Sequence, residues 1–323
     1  MYRSDEFIGI GPFYYEDGCL LYILVNGPEK VLSIKRFFPS ADDGTIRRLN
    51  TEGLSGAEMF LGDTLITIKP DRWIEENFDI IAITGTNSWA GTYSPFIGGE
   101  KGIFMEIFDY NGDTLCLFPD YDRIGEWKYG NYRNAVYNES YIYEKMFTVK
   151  PAYNDTVFRL IPPNRLLPVY IVKFGDQKLK KEEGLRPDID LSETYINYSL
   201  IETGDNLFIK YTQNYDCPTN RRENTAWFHN VLYNKSNGTI VQDSESGNIS
   251  KGVTNNIDGG VPFWPQKVGV DGKMAQIISG KMIKERVSSV DFRDEWNQRE
   301  QGKRLIALAS GLSDKDVIIM VVE

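Results

Sequence analysis

Ile103-Phe104-Met105-Glu106-Ile107-Phe108-Asp109 runs into Tyr110-Asn111-Gly112-Asp113 and leaves through Thr114-Leu115-Cys116-Leu117-Phe118. Asn-Gly favours a tight reversal because both residues tolerate positive φ. Two apolar runs on either side of it read as the arms of a β-hairpin. Looser versions recur. Residues 195–202 and 206–211 flank Gly204-Asp205, residues 226–233 and 239–242 flank Asn237-Gly238, and residues 267–270 and 274–278 flank Asp271-Gly272. Upstream, residues 13–15, 19–25 and 31–37 read as strands broken at Glu16-Asp17-Gly18 and Asn26-Gly27-Pro28. Residues 60–68, 78–84, 141–149, 156–160 and 167–174 are further strand candidates.

Other stretches break the pattern. Residues 85–100 are rich in Gly, Ser and Thr, and read as a loop carrying Trp89 and Phe96. Residues 119–132 are irregular and aromatic, and residues 178–190 form a charged excursion with room for a short helix. Near the end, residues 282–287 and 296–309 hold helix formers and few turn signals, so two helical pieces are expected before a strand over 317–322. Regular alternation of strand and helix is absent. Many short strands parted by Gly, Asn and Asp turns give an all-β class, sandwich or propeller. A propeller accounts better for 323 residues, and the last strand is expected to complete the first blade and close the ring. The whole chain, 1–323, then forms a single domain.

Composition limits the functions. Net charge is −10, and the densest basic cluster, Lys178, Lys180 and Lys181, is followed at once by Glu182 and Glu183. A nucleic-acid surface needs a concentrated basic patch, so nucleic acid is not an expected partner. The three cysteines, Cys19, Cys116 and Cys217, lie far apart without a CxxC pair, so no thiol-rich metal site is indicated. They read as small buried hydrophobes, one disulfide being the alternative. No apolar run approaches the roughly 18 residues of a membrane span. The amino terminus does not carry a signal peptide pattern.

The candidate ligand-binding residues are Asp258, Trp264, His229, Trp89 and Trp127. Asp258 and Trp264 belong to Asn256-Ile257-Asp258-Gly259-Gly260-Val261-Pro262-Phe263-Trp264-Pro265. This is a shaped turn running into an aromatic anchor. Asp258 either holds a cation or ligand hydroxyl, or caps its own turn; the capping role fits the turn chemistry better. His229 is the sole histidine. Catalysis by it needs partners from elsewhere in the fold, so a structural histidine is the simpler reading. Trp89, Trp127 and Tyr132 fall in segments expected to be irregular and more exposed, suited equally to a sugar or peptide surface or to covering the core.

Acidic clusters at Asp42-Asp43-Gly44, at Asp109, Asn111 and Asp113, and at Asp120 and Asp122 read as turns rather than calcium loops. Glycoside chemistry needs two opposed carboxylates, and no pair stands out. A phosphate-cradling Gly-Lys-Ser/Thr loop is absent, and no cofactor, catalytic residue or metal site is assigned.

Three stretches resemble a known family. They are Asn154-Asp155-Thr156-Val157-Phe158-Arg159-Leu160 with Leu167-Pro168-Val169-Tyr170 and Phe174-Gly175; Asn256 to Gly260 with Phe263-Trp264-Pro265; and residues 308–312 with 314–316 and 317–321. In these the chain is similar to the six-bladed β-propellers of Bacteroidetes, a TolB-like or NHL-like group of largely uncharacterised exported proteins. The likeness covers about residues 100–323. An Asp-Asn-Pro expected before the last strand is replaced by Asp316-Val317-Ile318. The resemblance implies six blades, a periplasmic or cell-surface location, often with a lipid anchor, and a glycan, peptide or envelope protein as partner. It supplies no catalytic residues. A non-catalytic binding or scaffold role is therefore expected, with a glycan-active hydrolase or lyase as the alternative.

Overall fold

The computed structural model describes residues 8–16, 19–26, 31–37, 63–68, 79–83, 88–109, 113–242, 252–268 and 272–322. The expected turns at 16–18, 26–28, 42–44 and 271–272 lie wholly or partly outside them. The chain divides into two compact units, residues 1–125 and 126–323. Each is mostly β with few helices.

In the first unit, β1 (Ile8–Glu16), β2 (Cys19–Asn26), β3 (Val31–Phe37) and β4 (Asp63–Ile68) form an antiparallel sheet in sequence order. A second sheet holds β5 (Asp79–Ile83), β6 (Ser88–Thr92), β7 (Ile103–Asp109) and β8 (Thr114–Pro119). The β7–β8 hairpin stands as the sequence predicts. Residues 110–112 of its turn are outside the described residues, but the Asp109 carboxylate accepts from the Asp113 N–H at 2.9 Å and closes it.

Residues 88–100 are not a loop. Ser88–Thr92 is a central strand, and Pro95–Lys101 is helix α1. Trp89 pairs in register with Phe108 and is only 1% exposed, so it is core rather than surface. Ser94-Pro95 is in fact a helix start, because proline suits the first helical position, where an N–H would lack a partner. The glycines that suggested a loop serve packing: a Cβ on Gly98 would lie 2.8 Å from the Ile103 carbonyl oxygen.

The second unit begins with an irregular segment, as expected, up to residue 138. One sheet then takes β9 (Glu139–Tyr143), β10 (Met146–Lys150), β11 (Thr156–Ile161) and β12 (Arg165–Ile171). The single strand expected over 141–149 is a hairpin. Its turn residues, Glu144 and Lys145, adopt φ of 47° and 64° without the Gly or Asn that would have signalled it. Left-handed backbone costs about 1–2 kcal/mol per ordinary residue, which the β9–β10 ladder offsets.

Helix α2 (Lys181–Leu185) occupies the charged excursion. The next sheet contains β13 (Tyr195–Glu202), β14 (Asn206–Gln213), β15 (Trp227–Asn234) and β16 (Ile240–Gln242), with α3 (Pro218–Glu223) between β14 and β15. Alternation gives it two different faces. Leu200, Leu207 and Ile209 pack with Val157, Tyr141 and Tyr170 of the preceding sheet. Ile201, Phe208 and Leu232 pack with Trp264, Val268 and Met274.

The last sheet has three strands, β17 (Lys267–Val268), β18 (Met274–Ser279) and β19 (Val317–Val322). Here the expectation for the terminal strand fails. β19 pairs with β18, from Met274↔Val322 to Ser279↔Val317, rather than completing the first sheet. The reason lies in α4 (Gly280–Ser288), α5 (Val290–Glu295) and α6 (Glu300–Gly311), which connect the two strands. Ile283, Phe292, Trp296, Leu305 and Ala309 from this stretch bury against Ile278 of β18 and Val261, so the chain returns beside the strand it left.

The described residues thus form five sheets, each with its strands in sequence order. The six blades and closed ring expected from the sequence are not features of these sheets. In the second unit the first strands lie side by side: β9 borders β13, and β13 borders β17. Cys116 and Cys217 are free thiols, each half-buried rather than buried.

Candidate functional site

The densest chemistry lies in the seam between the β9–β12 and β13–β16 sheets. Glu202, 1% exposed at the end of β13, is its hub. One carboxylate oxygen accepts from the Tyr170 hydroxyl at 2.6 Å and the Lys235 ammonium at 3.2 Å. The other accepts from Arg159 at 2.5 Å and the Tyr141 hydroxyl at 3.0 Å. These four donors fill the roughly four acceptor positions of a carboxylate. Both cations also stack on Tyr143, Arg159 at 4.6 Å and Lys235 at 4.4 Å from the ring centroid. Burial first, then the Glu202 charge, pushes the Tyr141 and Tyr170 hydroxyls well above the usual phenol range. The cluster has no free acid or base to offer a substrate, and its role is to hold two sheets together.

The second group lies on the same face. Glu139, half-buried by its exposed area although its carboxyl is closely packed, opens β9, and its register partner on β10 is Lys150, 5% exposed. Across the seam the Glu139 carboxylate accepts from the Leu200 N–H at 3.0 Å. That N–H lies on the side of β13 away from β14, at an edge that needs an acceptor. A bulge between Asn197 and Ser199 returns Asn197 to the face of Leu200, and its amide, although neither of its polar atoms has a hydrogen-bond partner among the described residues, favours the ionised Glu139 carboxyl. Burial nevertheless pushes Glu139 up to about 7, against the pull of Lys150, the Leu200 N–H, Asn197 and Lys267. Burial likewise brings Lys150 down to about 8, opposed by Glu139 and Asp155 and assisted by Lys178. Groups poised near neutrality in one place can exchange protons, which makes this pair the chemically responsive part of the seam. Neither it nor Glu202 stood out in the sequence. The signal was an acid at an inward position of an apolar alternation, as in Leu200-Ile201-Glu202.

The residues named from the sequence do not converge here. Asp258 accepts from the Gly260 N–H at 2.8 Å, while the Asn255 side chain accepts from the N–H groups of Ile257 and Asp258 at 3.0 and 3.3 Å. Gly259 sits at φ +72°, and a Cβ there would come within 2.3 Å of the Trp296 ring. Arg286 donates to the carbonyls of Gly259 and Gly260 at 2.7 and 3.2 Å, tying the turn to α4. Trp264 is 8% exposed, edge-on to Phe208 at 5.3 Å, and its backbone N–H donates to the Gln276 side-chain oxygen at 3.1 Å. This is the geometry of a capped turn and its anchor.

His229 stacks on Tyr211 at 4.8 Å, and both imidazole nitrogens are buried without a hydrogen-bond partner among the described residues. Tyr211 stands in register between Asn197 and His229. Two strand spacings of about 4.8 Å each therefore keep His229 beyond hydrogen-bond reach of Asn197.

Trp127 does lie in an irregular segment, and that segment is pinned. Its indole donates to the Gly130 carbonyl at 3.0 Å, and its ring meets Tyr129 edge-on at 5.0 Å. Tyr129 donates to Glu182 at 2.8 Å and lies under Arg186. The Arg133 N–H reaches the Leu185 carbonyl at 2.9 Å, and its guanidinium reaches that of Ile189 at 2.8 Å. Tyr132 and Tyr137 remain outward, 39% and 57% exposed. Among the described residues no group of three His, Cys, Asp or Glu is placed to hold a metal, and no helix is long and apolar enough to cross a membrane.

No curated protein matches the chain. Among solved structures it is similar to a DUF4221-family protein from Bacteroides vulgatus, at 10% identity over 73% of this chain and 80% of that one, TM-score 0.37. It is also similar to a GH32 β-fructofuranosidase from Bombyx mori, at 10% over 85% and 57%, TM-score 0.36. A streptogramin B lyase follows at 12% over 84% and 90%, TM-score 0.31. Likenesses this loose decide neither fold nor function. A family model described as a domain of unknown function, DUF4933, matches residues 68–289, more than half of the sequence, and the chain belongs to that family.

Proposed function

We propose that the protein is a non-catalytic binding module of the cell envelope, exported to the periplasm or cell surface and held there by a lipid anchor. In this reading the sheets are successive blades of one six-bladed propeller spanning 1–323, as in the Bacteroidetes group that the sequence resembles. The side-by-side first strands β9, β13 and β17 support it, since first strands line a propeller's axis. The observation that carries the binding reading is the pinned aromatic segment from Trp127 to Tyr137. Its backbone is fixed to the 184–189 stretch, so its rings are presented without a large ordering cost. Rings flanked by Arg186 and Glu182 suit a glycan, whose apolar faces stack on aromatics while its hydroxyls take polar partners.

The test is a glycan and peptide array probed with the full chain and with a Trp127→Ala/Tyr132→Ala double variant. Binding to glycans that the double variant loses while keeping its melting temperature supports the reading. Peptide-only binding moves the partner to protein. Glycan binding unchanged in the double variant sinks the site.

The hydrolase or lyase alternative has one observation in its favour, the Glu139 carboxyl pushed up toward neutrality by burial. Against it, Glu202, the buried acid of the seam, has its acceptor positions filled. Cleavage of glycans by the wild type, abolished in Glu139→Gln, would replace the binding reading with this one.

A further inference from the structure

Among the described residues four sheets have four strands and the last has three, so that β19 (Val317–Val322) forms its outer edge. Natural edges are blunted by proline, charge or shortness, because a row of unpaired N–H and C=O groups invites another chain. The outer strands of the other two sheets in the second unit follow that rule: β12 carries Pro168, and β16 has only three residues. β19 does not. Val317-Ile318-Ile319-Met320-Val321-Val322 holds no charge and no proline, and it runs beside β18 without a bulge from Ser279↔Val317 to Met274↔Val322. The helices α4 to α6 cover one face of this pair through Ile278 and Ile318. The opposite face is bare: Val317, Ile319 and Val321, with Ile277 of β18, are each between 56% and 71% exposed.

We propose that β19 is the contact through which two copies of the chain pair, edge to edge and antiparallel about a two-fold axis. The backbone sets the register. The Gly280 N–H donates to the Asp316 carbonyl at 2.8 Å. Antiparallel bonding alternates, so Ile318, Met320 and Val322 turn their backbone groups to β18, and Val317, Ile319 and Val321 turn theirs outward. The outward positions read Val, Ile, Val, the same in either direction. Placing Ile319 opposite its counterpart in the second copy puts each Val317 opposite a Val321. That one register pairs the outward groups of all three residues and joins the two bare faces into one. Cross-strand pairs of β-branched residues stabilise such a ladder. No like charges meet, since Asp316 falls opposite Val322. This self-match is what makes a second copy, rather than a foreign strand, the occupant. The contact is small beside a standard interface, so the dimer is weak and concentration-dependent. It stands on the strand edge and does not depend on the glycan reading.

Sedimentation equilibrium of the full chain tests it. The wild type should approach twice the monomer mass as its concentration rises. Ile319→Lys, which sets two ammonium groups face to face at the axis, should stay at the monomer mass with unchanged circular dichroism. Leu308→Lys, at an exposed apolar position of α6, should dimerise as the wild type does. A wild type that stays monomeric up to about 1 mM, or a dimer that survives Ile319→Lys, overturns the proposal. If Ile319→Lys loses its fold, Ile319→Cys takes its place. Residues opposed in this way have Cα atoms about 5.5 Å apart, within reach of a disulfide. Mild oxidation should then give a covalent dimer linked at position 319, located by peptide mapping, which neither the wild type nor Ile277→Cys gives. Absence of that link overturns the pairing.

Discussion

The two faces of the β13–β16 sheet are held by different physics. One presents Ile201, Phe208 and Leu232 to Trp264, Val268 and Met274, and apolar contact does nearly all the work. The other presents Leu200 and Leu207 to an apolar patch, but adds Glu202 with two cations and two phenols, and Glu139 with its lysine. Apolar packing is indifferent to pH and tolerant of shape-conserving change. A buried ionic seam is neither: it is costly to break from one side and responds to protons. The sheet is thus anchored firmly on one face and conditionally on the other.

The contrast can be broken from either side. Trp264→Ala should destabilise the second unit by about 3–5 kcal/mol by opening a cavity against Phe208; urea unfolding at pH 6 and pH 8 should give the same loss. A loss that varies with pH would show that this face, too, is electrostatic. Glu202→Gln should cost about 3 kcal/mol, because the half-buried Arg159 and Lys235 are left without a counter-charge. A cost below about 1 kcal/mol, the level of an exposed pair, would mean that the hub is solvated in solution. Gly259→Ala should cost about 1–3 kcal/mol through overpacking against Trp296, measured as a lower melting temperature without loss of any binding at Trp127.

The pH dependence is the most diagnostic. Burial raises Glu139 from an ordinary 4.5 to about 7, so between those values the folded chain holds more protons than the unfolded one. Its contribution to stability is full below about pH 4.5 and is lost as pH rises through 7. Lys150, brought down from 10.5 to about 8, acts oppositely, and stability recovers from pH 8 towards 10.5. Chemical denaturation across this range should therefore pass a minimum between pH 7 and 8, which Glu139→Gln flattens on its acid side. An unchanged acid limb in the variant would assign the slope to other groups.

Much of the strand pattern could be read from turn chemistry, and the failures share one cause. Asn237-Gly238 announces its hairpin, and Gly238 adopts the φ of 73° that glycine favours. Glu144-Lys145 makes the same kind of turn with residues that do not announce it, so 141–149 reads as one strand. Gly98 and Gly99 looked like loop glycines, though at Gly98 the missing side chain makes room for the Ile103 carbonyl in a helix. The partner of β19 was settled by the burial of Phe292 and Trp296, a long-range matter that local pattern does not encode. The candidate site fared similarly. The irregular setting of Trp127 followed from the sequence around it, although its ring is half-buried rather than exposed, and the turn-capping role of Asp258 followed from the glycines beside it. Glu139 and Glu202 gave no such sign, because their chemistry arises only when a second sheet supplies Leu200 or Arg159.

One consequence follows from where β9 begins. Only Asn138 separates the aromatic segment's Tyr137 from the Glu139 carboxyl. Thermodynamic reciprocity then works in both directions: burial favours the protonated Glu139 carboxyl, so a ligand whose binding deepens that burial must raise the affinity of Glu139 for its proton. Binding near pH 7 would take up a fraction of a proton from solution. Calorimetry in two buffers of different ionisation enthalpy would detect that exchange as a difference in apparent heat.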